Sequence, residues 1–499
     1  MNAVKPSQIE KDAVFEPKII AYLCTWCSYT GADTAGIARL KSPANIRAIR
    51  VPCSGRVSPE VILRTFEEGA DGVLVLGCHI GECHYDNGNH RTAKRLPILR
   101  ALLSFAGLEP ERLKLDWVSA SEGERFSKIT TEFTQQVRKL GPARWRISMQ
   151  KWQSFHQLLE MPEILESKPN GSKYAAVKPL ELRPSATYTQ IEMGIQETAQ
   201  RLLSAGEVTC VIGYERGARG RVRPVFISKP DQAKRLVWNS ECTHNLATYL
   251  NQKIHVGNQH EKSNLENQES VAVVAKPCDS RAIQVLLTEK RFPREKVHII
   301  GVVCDGVQQA IPANKSRAES PVSPTDSAYS PILQTRCLDC DQRTPIIYDT
   351  LIGNSEKATL MEKPPLNPHL ENLEGCTPLE RAEYWLSQFD RCIRCYACRQ
   401  VCPICDCPVC LYERDDSLWS GMGTGLIEKR AFHLGRAFHL AGRCVGCNEC
   451  ERVCPMDIPI SLLNIKLTQE IQNAFEYQAG LTLEPSPLVT VLSGEERLS

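Results

Sequence analysis

The chain has 499 residues, 42% hydrophobic and 24% charged, with a net charge of +2. That length predicts about three domains of ordinary globular composition, and the near-neutral charge excludes the basic footprint of a nucleic-acid binder. No stretch reaches the roughly 20 apolar residues of a membrane span, and the opening MNAVKPSQIEKDAVFEPK lacks both a secretory apolar core and a twin arginine, so a cytoplasmic protein is expected.

After a short tail (1–16), residues 17–142 alternate strand and helix signals. Residues 18–23 (KIIAYL) read as a strand, 35–40 as a helix and 46–51 as a second strand. Ser58 is placed to cap a helix over 60–68, and 72–76 (GVLVL) is a buried strand. A helix over 95–105, a strand over 113–118 and a helix over 125–140 follow. Strands separated by helices predict a flavodoxin-like parallel sheet. Cys24 and Cys27 follow the first strand, Cys53 the second, Cys78 and Cys83 the third. Ligands of open α/β sheets bind beyond the carboxyl ends of the strands, so parallel strands gather these five thiols at one edge. Four of the five suffice for one cluster. The spacing, C-x2-C, a lone Cys and C-x4-C, is unlike a zinc ribbon. A 2Fe-2S cluster is favoured, with a cubane or zinc as alternatives. The plainer reading of Cys53 or Cys78 is a small buried strand-end residue. His79, His84 and His90, nearby in sequence, read as surface or hydrogen-bonding residues.

Residues 143–185 predict a helix over 148–159 and then a linker. A second α/β region covers 186–375, with a helix over 187–204 and strands over 208–213 and 223–227 around the turn ERGARG. The strand 270–275 leads to Cys278, Asp279 is placed to cap a helix over 280–288, and the strand 298–303 ends at Cys304. A Pro/Ser-rich surface loop is expected over 312–331, with Cys337 and Cys340 beyond it. The glycines Gly213, Gly217 and Gly220 are spaced G-x3-G-x2-G, which fits a turn between strands better than a dinucleotide loop. Arg216, Arg219, Arg221 and Arg223 around it could meet a flavin or phosphate.

Residues 376–478 form the third region. Thr377-Pro378-Leu379-Glu380 is a capping box with proline at the first helical position. Its helix runs to about 390, with Leu379, Ala382, Leu386 and Phe389 on one face. A polar insert over 411–443 carries a helix over 426–440, and the tail from 479 to 499 reads as loosely ordered.

Twenty-three cysteines, many in C-x2-C groups, point to metal binding in a reducing compartment rather than disulfides. An anaerobic lifestyle is the expectation. Cys392-x2-Cys395-x2-Cys398-x3-Cys402-Pro403 has the bacterial ferredoxin spacing, and Cys444-x2-Cys447-x2-Cys450-x3-Cys454-Pro455 repeats it. In such a pair the fourth cysteine of each run crosses to the other cluster. One 4Fe-4S cluster is therefore assigned to Cys392, Cys395, Cys398 and Cys454, the other to Cys444, Cys447, Cys450 and Cys402. Structural zinc would leave Cys398, Cys402 and their counterparts unexplained. Cys278, Cys304, Cys337 and Cys340 make a candidate third 4Fe-4S cluster if their two strands are neighbours. Cys405, Cys407 and Cys410 stay unassigned between a further cluster, packing and a partner surface. Cys210 reads as core, and Cys242 and Cys376 carry no particular role.

The segments CTWCSYTGADTAGIARL and IRAIRVPCSGRVSPEVILRTFEEGADGVLVLGCHIGECHY resemble the iron–sulfur delta subunit of methyl-viologen-reducing hydrogenase, with all five cysteines. That resemblance implies a 2Fe-2S cluster and a link between a hydrogenase and heterodisulfide reductase. The rest resembles the beta-subunit family of deazaflavin-dependent hydrogenases and formate dehydrogenases, through AKPCDSRAI, GVVCDG, TPIIYDTLIG and the two ferredoxin runs. This second resemblance implies FAD and the deazaflavin coenzyme, although the dicluster module is C-terminal here and no flavin-binding residue is matched.

The fold class expected is α/β multidomain: a flavodoxin-like sheet, a middle α/β domain and a C-terminal α+β ferredoxin-like module. The function expected is an electron-transfer subunit joining a formate dehydrogenase or hydrogenase catalytic subunit to a heterodisulfide-reductase-like flavoprotein subunit. Electrons would pass from the dicluster module across the middle domain to the N-terminal cluster. The alternative is a flavin-dependent oxidoreductase reducing a deazaflavin or other soluble carrier. A third reading is a zinc-stabilised scaffold. No catalytic residues stand out.

Overall fold

The computed structural model describes residues 15–143, 145, 185–218, 220–254, 270–308, 333–338, 340–354, 368–416, 419 and 421–488. The helix expected over 148–159, the linker around it and the loop expected over 312–331 lie outside the described residues.

Strands β1 (Ile19–Cys24), β2 (Ile46–Val51), β3 (Gly72–Gly77) and β4 (Leu113–Trp117) form an all-parallel sheet in the order β2-β1-β3-β4. β3 is buried throughout because helices cover both faces. Val73 and Val75 pack towards α2 (Pro59–Glu67) and α3 (Gly88–Phe105). Leu74 and Leu76 alternate to the other face, with Ala35 of α1 (Ser28–Ile37) and Phe126, Ile129, Phe133 and Val137 of α4 (Gly123–Leu140). As expected, Ser58 caps α2, its hydroxyl accepting from the Val61 amide at 3.4 Å.

Two helices start earlier than their apolar periodicity announces. α1 begins at Ser28, not at 35, because small polar residues build it. The Ser28 hydroxyl ties the sheet edge together, accepting from the Cys24 amide and donating to the Leu76 carbonyl, each at 2.7 Å. α3 begins at Gly88, not at 95, and runs through Pro97. Asn89 and Thr92 bury its first turn through hydrogen bonds rather than apolar contact.

The second sheet has the order β6-β5-β7-β8-β9, from β5 (Cys210–Arg216), β6 (Val222–Ile227), β7 (Val271–Ala275), β8 (Val297–Val302) and β9 (Thr350–Ile352). Only β5 and β6 pair antiparallel. The glycine-rich segment is their hairpin turn, with Gly220 at φ +72°. Arg216 and Arg223 are spent there, on Glu241 and Glu215. α5 (Ser185–Ser204) and α6 (Pro277–Thr288) flank the sheet. Asp279 stands at the third position of α6 rather than at its cap; its carboxylate accepts from the Lys276 amide at 2.7 Å and the Leu246 amide at 2.9 Å.

The C-terminal region contains α7 (Pro378–Asp390), α8 (Leu426–His439) and α9 (Ser461–Phe475); no strand is assigned among its described residues. The Thr377–Glu380 capping box forms as expected. Leu379 is exposed, and Trp385 joins Ala382, Leu386 and Phe389 on the buried face. The insert read as polar contributes a buried helix: Arg430, Phe432, His433 and Arg436 of α8 are all covered. α9 was not anticipated.

These helices bind the N-terminal region. The Trp385 indole donates to the Phe105 carbonyl at 3.1 Å, and the Arg430 guanidinium grips the Glu67 carboxylate while donating to the Trp145 carbonyl at 2.7 Å. His439 meets Glu60 at 2.6 Å. Gly107, at φ +98°, lies so close to α7 that a Cβ would come within 2.3 Å of the Ala382 nitrogen. The middle region docks through Arg443–Glu289 and through Arg281, which donates to the Ala479 carbonyl at 2.9 Å. Residues 479–488, expected to be loose, are packed at both ends, with 482–485 exposed between: Arg95 of α3 donates to the Leu488 carbonyl at 3.1 Å. The largest apolar core among the described residues draws on all three regions.

Candidate metal centres

The carboxyl edge of the first sheet gathers the five expected thiols. Cys24 and Cys78, from adjacent strands, place their sulfurs 3.5 Å apart, and Cys53 and Cys83 stand 3.7 Å apart. Cys24, Cys53, Cys78 and Cys83 are buried; Cys27 is partly exposed. The Cys78 thiol beside Cys24 brings its pKa down to about 6, while burial pushes Cys53 up to about 11. The start of α3 makes room for the sulfurs: a Cβ on Gly88 would lie 2.1 Å from Cys53 Sγ. His79 is a hydrogen-bonding residue, 2.6 Å from Glu122. The Ser119 amide and then the His79 ring hold the Glu122 carboxyl down at about 2. Trp26 stacks on His84 at 3.8 Å at the exposed rim.

The two ferredoxin runs fold alike. Arg394 and Tyr396 in the first, and Gly446 and Asn448 in the second, occupy equivalent positions, all with positive φ. Left-handed backbone costs a non-glycine residue about 1–2 kcal/mol, so three such residues mark loops held in shape by their surroundings. The turns aim backbone amides at sulfur: Arg394 N lies 3.3 Å from Cys392 Sγ, and Ile458 N 3.5 Å from Cys454 Sγ. Short helical turns, Ala397–Gln400 and Glu449–Arg452, follow each loop.

One small cavity is lined by Cys392, Cys395, Cys398 and Cys454, together with Arg394, Phe432 and His433. Cys402 faces elsewhere, into a cavity of about 420 Å³ that it shares with Cys444, Cys447 and Cys450. Cys402 thus lines a different cavity from the first three cysteines of its own run, and Cys454 lines theirs. Burial pushes Cys398 up to about 11.

The same large cavity receives Cys278, Cys304, Cys337 and Cys340. β7 and β8 are neighbours, as that set requires. Amides of Gly306 and Val307 approach Cys304 and Cys337 sulfur, each at 3.4 Å. Burial, then the neighbouring Cys337, raises Cys304 to about 11. Arg336 stands between the two cysteine sets, bonded to the Cys447 and Thr243 carbonyls and to Glu449. The middle set therefore adjoins the second ferredoxin set. The N-terminal region packs on the C-terminal helices instead, so those helices, and not the middle region as expected, stand between.

Cys405 lies against Cys402, whose pKa it brings down to about 6. Cys410 packs beside Cys392 and Cys398, and Cys407 is exposed. Cys210 and Cys242 are core residues, and the Cys376 thiol donates to the Asn372 carbonyl. Sequence reasoning missed Arg336, Arg436 and His433, all buried around the cysteine cavities. The i, i+3 spacing of His433 and Arg436, in a helix between two ferredoxin runs, was the available signal.

Comparison with known proteins bears on the first of these sites. The model of the methyl-viologen-reducing hydrogenase delta subunit matches residues 19–141. An F420-non-reducing hydrogenase iron-sulfur subunit from Archaeoglobus profundus is 49% identical over 128 residues, which is 26% of this chain and 93% of that protein. Through its N-terminal region, the chain belongs to this delta-subunit family. The corresponding hydrogenase iron-sulfur subunit from Methanopyrus kandleri is 37% identical over 127 residues, 26% of this chain and 96% of that protein. One subunit of the ferredoxin:CoB-CoM heterodisulfide reductase of Methanosarcina mazei is 48% identical over 126 residues, 25% of this chain and 16% of that protein. The delta-subunit region is thus found in relatives both as nearly the whole of a small protein and as a minor part of a large one.

The residues fit iron–sulfur groups. The thiols come in fours and a five, backbone amides point at their sulfurs, and the buried Arg436 Nε and Nη1 lack partners at the edge of the large cavity. A sulfur-rich anion satisfies all three features. Among the described residues, no three His, Cys, Asp or Glu side chains are grouped tightly enough to share a single ion. No described helix is long and apolar enough to cross a membrane.

Proposed function

We propose that this chain is an iron–sulfur electron-transfer subunit. It would relay single electrons between a hydrogenase or formate dehydrogenase and a heterodisulfide-reductase-like, flavin-containing complex. One observation carries the reading: four cysteine sets occupy one packed body, and the middle set lines the same cavity as one ferredoxin set. Clusters bound there would supply one-electron carriers, one 2Fe-2S and up to three 4Fe-4S. The chain's part is to hold their thiolates, exclude water and set each potential through hydrogen bonds and buried charge.

The packing supports an order. Cys278, Cys304, Cys337 and Cys340 share a cavity with Cys402, Cys444, Cys447 and Cys450. That set adjoins Cys392, Cys395, Cys398 and Cys454 through Arg436, which donates to the Cys398 carbonyl at 2.9 Å. From there Tyr412, packed against Cys392 and Cys398, reaches towards Glu60 at the start of α2. Cys53 lies seven residues before Glu60. The middle set is then one end of the relay and the N-terminal set the other, with the dicluster module between them. We read the matching domains as 17–142, 186–375 and 376–478. The heterodisulfide reductase relative supports the N-terminal region as the end that meets a reductase-like partner.

Anaerobic purification tests the reading. The expected preparation contains iron and acid-labile sulfide, shows EPR signals of reduced clusters after dithionite, and carries no stoichiometric flavin. Stoichiometric flavin would replace the relay with the flavin-enzyme alternative, and bound zinc without iron would end both.

A further inference from the structure

The insert between the two ferredoxin runs supplies α8, and α8 sends a polar side chain into each of the two ferredoxin cavities. His433 lines the cavity of Cys392, Cys395, Cys398 and Cys454. Arg436, one turn later, lines the cavity of Cys402, Cys444, Cys447 and Cys450. Both are almost wholly buried, Arg436 being 4% exposed.

Arg436 stands out among the cations at these cavities. Arg336 donates to two carbonyls and to Glu449. Arg394 donates to the carbonyls of Gly421, Gly423, Glu428 and Tyr412 and to the Tyr396 hydroxyl. The Arg436 guanidinium gives Nη2 to the Cys398 carbonyl, while Nε and Nη1 are buried without a hydrogen-bond partner. The Cys405 thiol also lies against it. Burial works against its charge, and the thiols of Cys405, Cys402, Cys450 and Cys398 more than offset that.

A guanidinium stays charged, and burying one with two idle donors costs several kcal/mol. Negative charge in front of those donors, from the neighbouring thiolates and from a cluster they would hold, balances the arrangement. A cubane with four thiolates is an anion, and it becomes more negative by one charge on reduction.

We propose that Arg436 is the potential-setting residue of the site formed by Cys402, Cys444, Cys447 and Cys450, donating to cluster sulfur and favouring its reduced form. This rests on the iron–sulfur reading above. No covalent bond would form or break: a cluster held there would take one electron from a neighbouring cluster and pass it to the next, while Arg436 keeps its protons. The insert is then more than a spacer between the two runs, because its helix tunes the site.

The test is an EPR-monitored redox titration of the full chain and of Arg436→Gln, with Arg436→Lys as the charge-retaining rescue. Cys402→Ser identifies which signal belongs to the site. Expected is a fall in midpoint potential for that signal of at least tenfold in the one-electron equilibrium, about 59 mV, with a smaller shift in the other ferredoxin signal. Lysine is expected to restore at least half of it. A second measurement needs no variant: in the wild-type chain carrying arginine labelled with heavy nitrogen, pulsed EPR should show an isotope-sensitive nitrogen coupling on the same reduced cluster. An unchanged potential in Arg436→Gln, or no arginine nitrogen coupling in the wild type, overturns the proposal. Absence of iron and of any cubane signal in the wild type would instead overturn the underlying reading.

Discussion

Replacing Gly88 with alanine is expected to abolish the N-terminal cluster and leave the others in place. The new Cβ would lie 2.1 Å from Cys53 Sγ and 3.3 Å from Cys83 Sγ, where apolar contact needs about 3.5–4 Å. The Cys53 sulfur must retreat by roughly 1.5 Å to reach that contact distance, and metal–ligand distances tolerate only about 0.2 Å. Rotating the Cys53 side chain relieves the clash but takes its sulfur away from Cys83, now 3.7 Å distant. Gly36→Ala in α1 is the control, since no atom beyond its chain neighbours and its own helix backbone lies within 4 Å of its added Cβ. Iron analysis and EPR of reduced protein provide the assay. Gly88→Ala should lose about two of the roughly fourteen irons that one 2Fe-2S cluster and three cubanes contain, together with the 2Fe-2S spectrum. A Gly88→Ala protein with full iron and an unaltered spectrum would refute the reasoning and make Cys53 the spare thiol of the five.

The crossed ligation predicts that Cys454→Ser and Cys395→Ser remove the same spectral component, whereas Cys402→Ser removes the other; the reverse pairing would show the clusters to be uncrossed. Glu67→Gln strands the buried Arg430 guanidinium between α2 and α8 and should cost about 3–5 kcal/mol in denaturant unfolding, with a loss below about 1 kcal/mol ruling the contact out as a main tie between regions. Burial raises Cys53, Cys304 and Cys398 to about 11, above the usual thiol value near 8.5. Their neutral forms stabilise the cluster-free fold below about pH 8.5, and that stability is lost as pH rises towards 11. Because ligation needs thiolates, cluster uptake runs the other way, releasing protons and weakening as pH falls. Denaturant midpoints of cluster-free protein at pH 8 and 10, beside reconstitution yields at the same pH values, check both signs. A cluster-free protein equally stable at both, or a reconstitution yield that rises on acidification, would contradict them.

Where local pattern and global fold agree, the sequence announced the elements closely. β2, and α7 with its full capping box, appear within a residue of their expected bounds. α1 and the first turns of α3 did not declare themselves, because hydroxyls, an amide and glycine hold them to the sheet edge. Those contacts serve the cysteine site, and no apolar period records them. The insert helix was visible, but its burial was not. Arg430, His433 and Arg436 read as solvent-facing side chains until α2, α7 and the cysteine loops are packed around them.

Cysteine spacing by itself pointed to the chemistry proposed for this chain. Two runs of C-x2-C-x2-C-x3-C-P and five strand-end thiols have the pattern of iron–sulfur ligands, because a few residues between ligands fix the reach of a loop around a cluster. The sequence also determined the parallel sheet that carries the N-terminal set, since strands alternating with helices have few other ways to pack. Only the tertiary structure decided which sets are neighbours. Long-range packing brought Cys278 and Cys304 into one cavity with the second ferredoxin run, set the N-terminal region against the C-terminal helices, and buried Arg436 beside the thiols. The first two adjacencies join residues more than a hundred positions apart, and all three depend on how whole faces fit together rather than on any local signal.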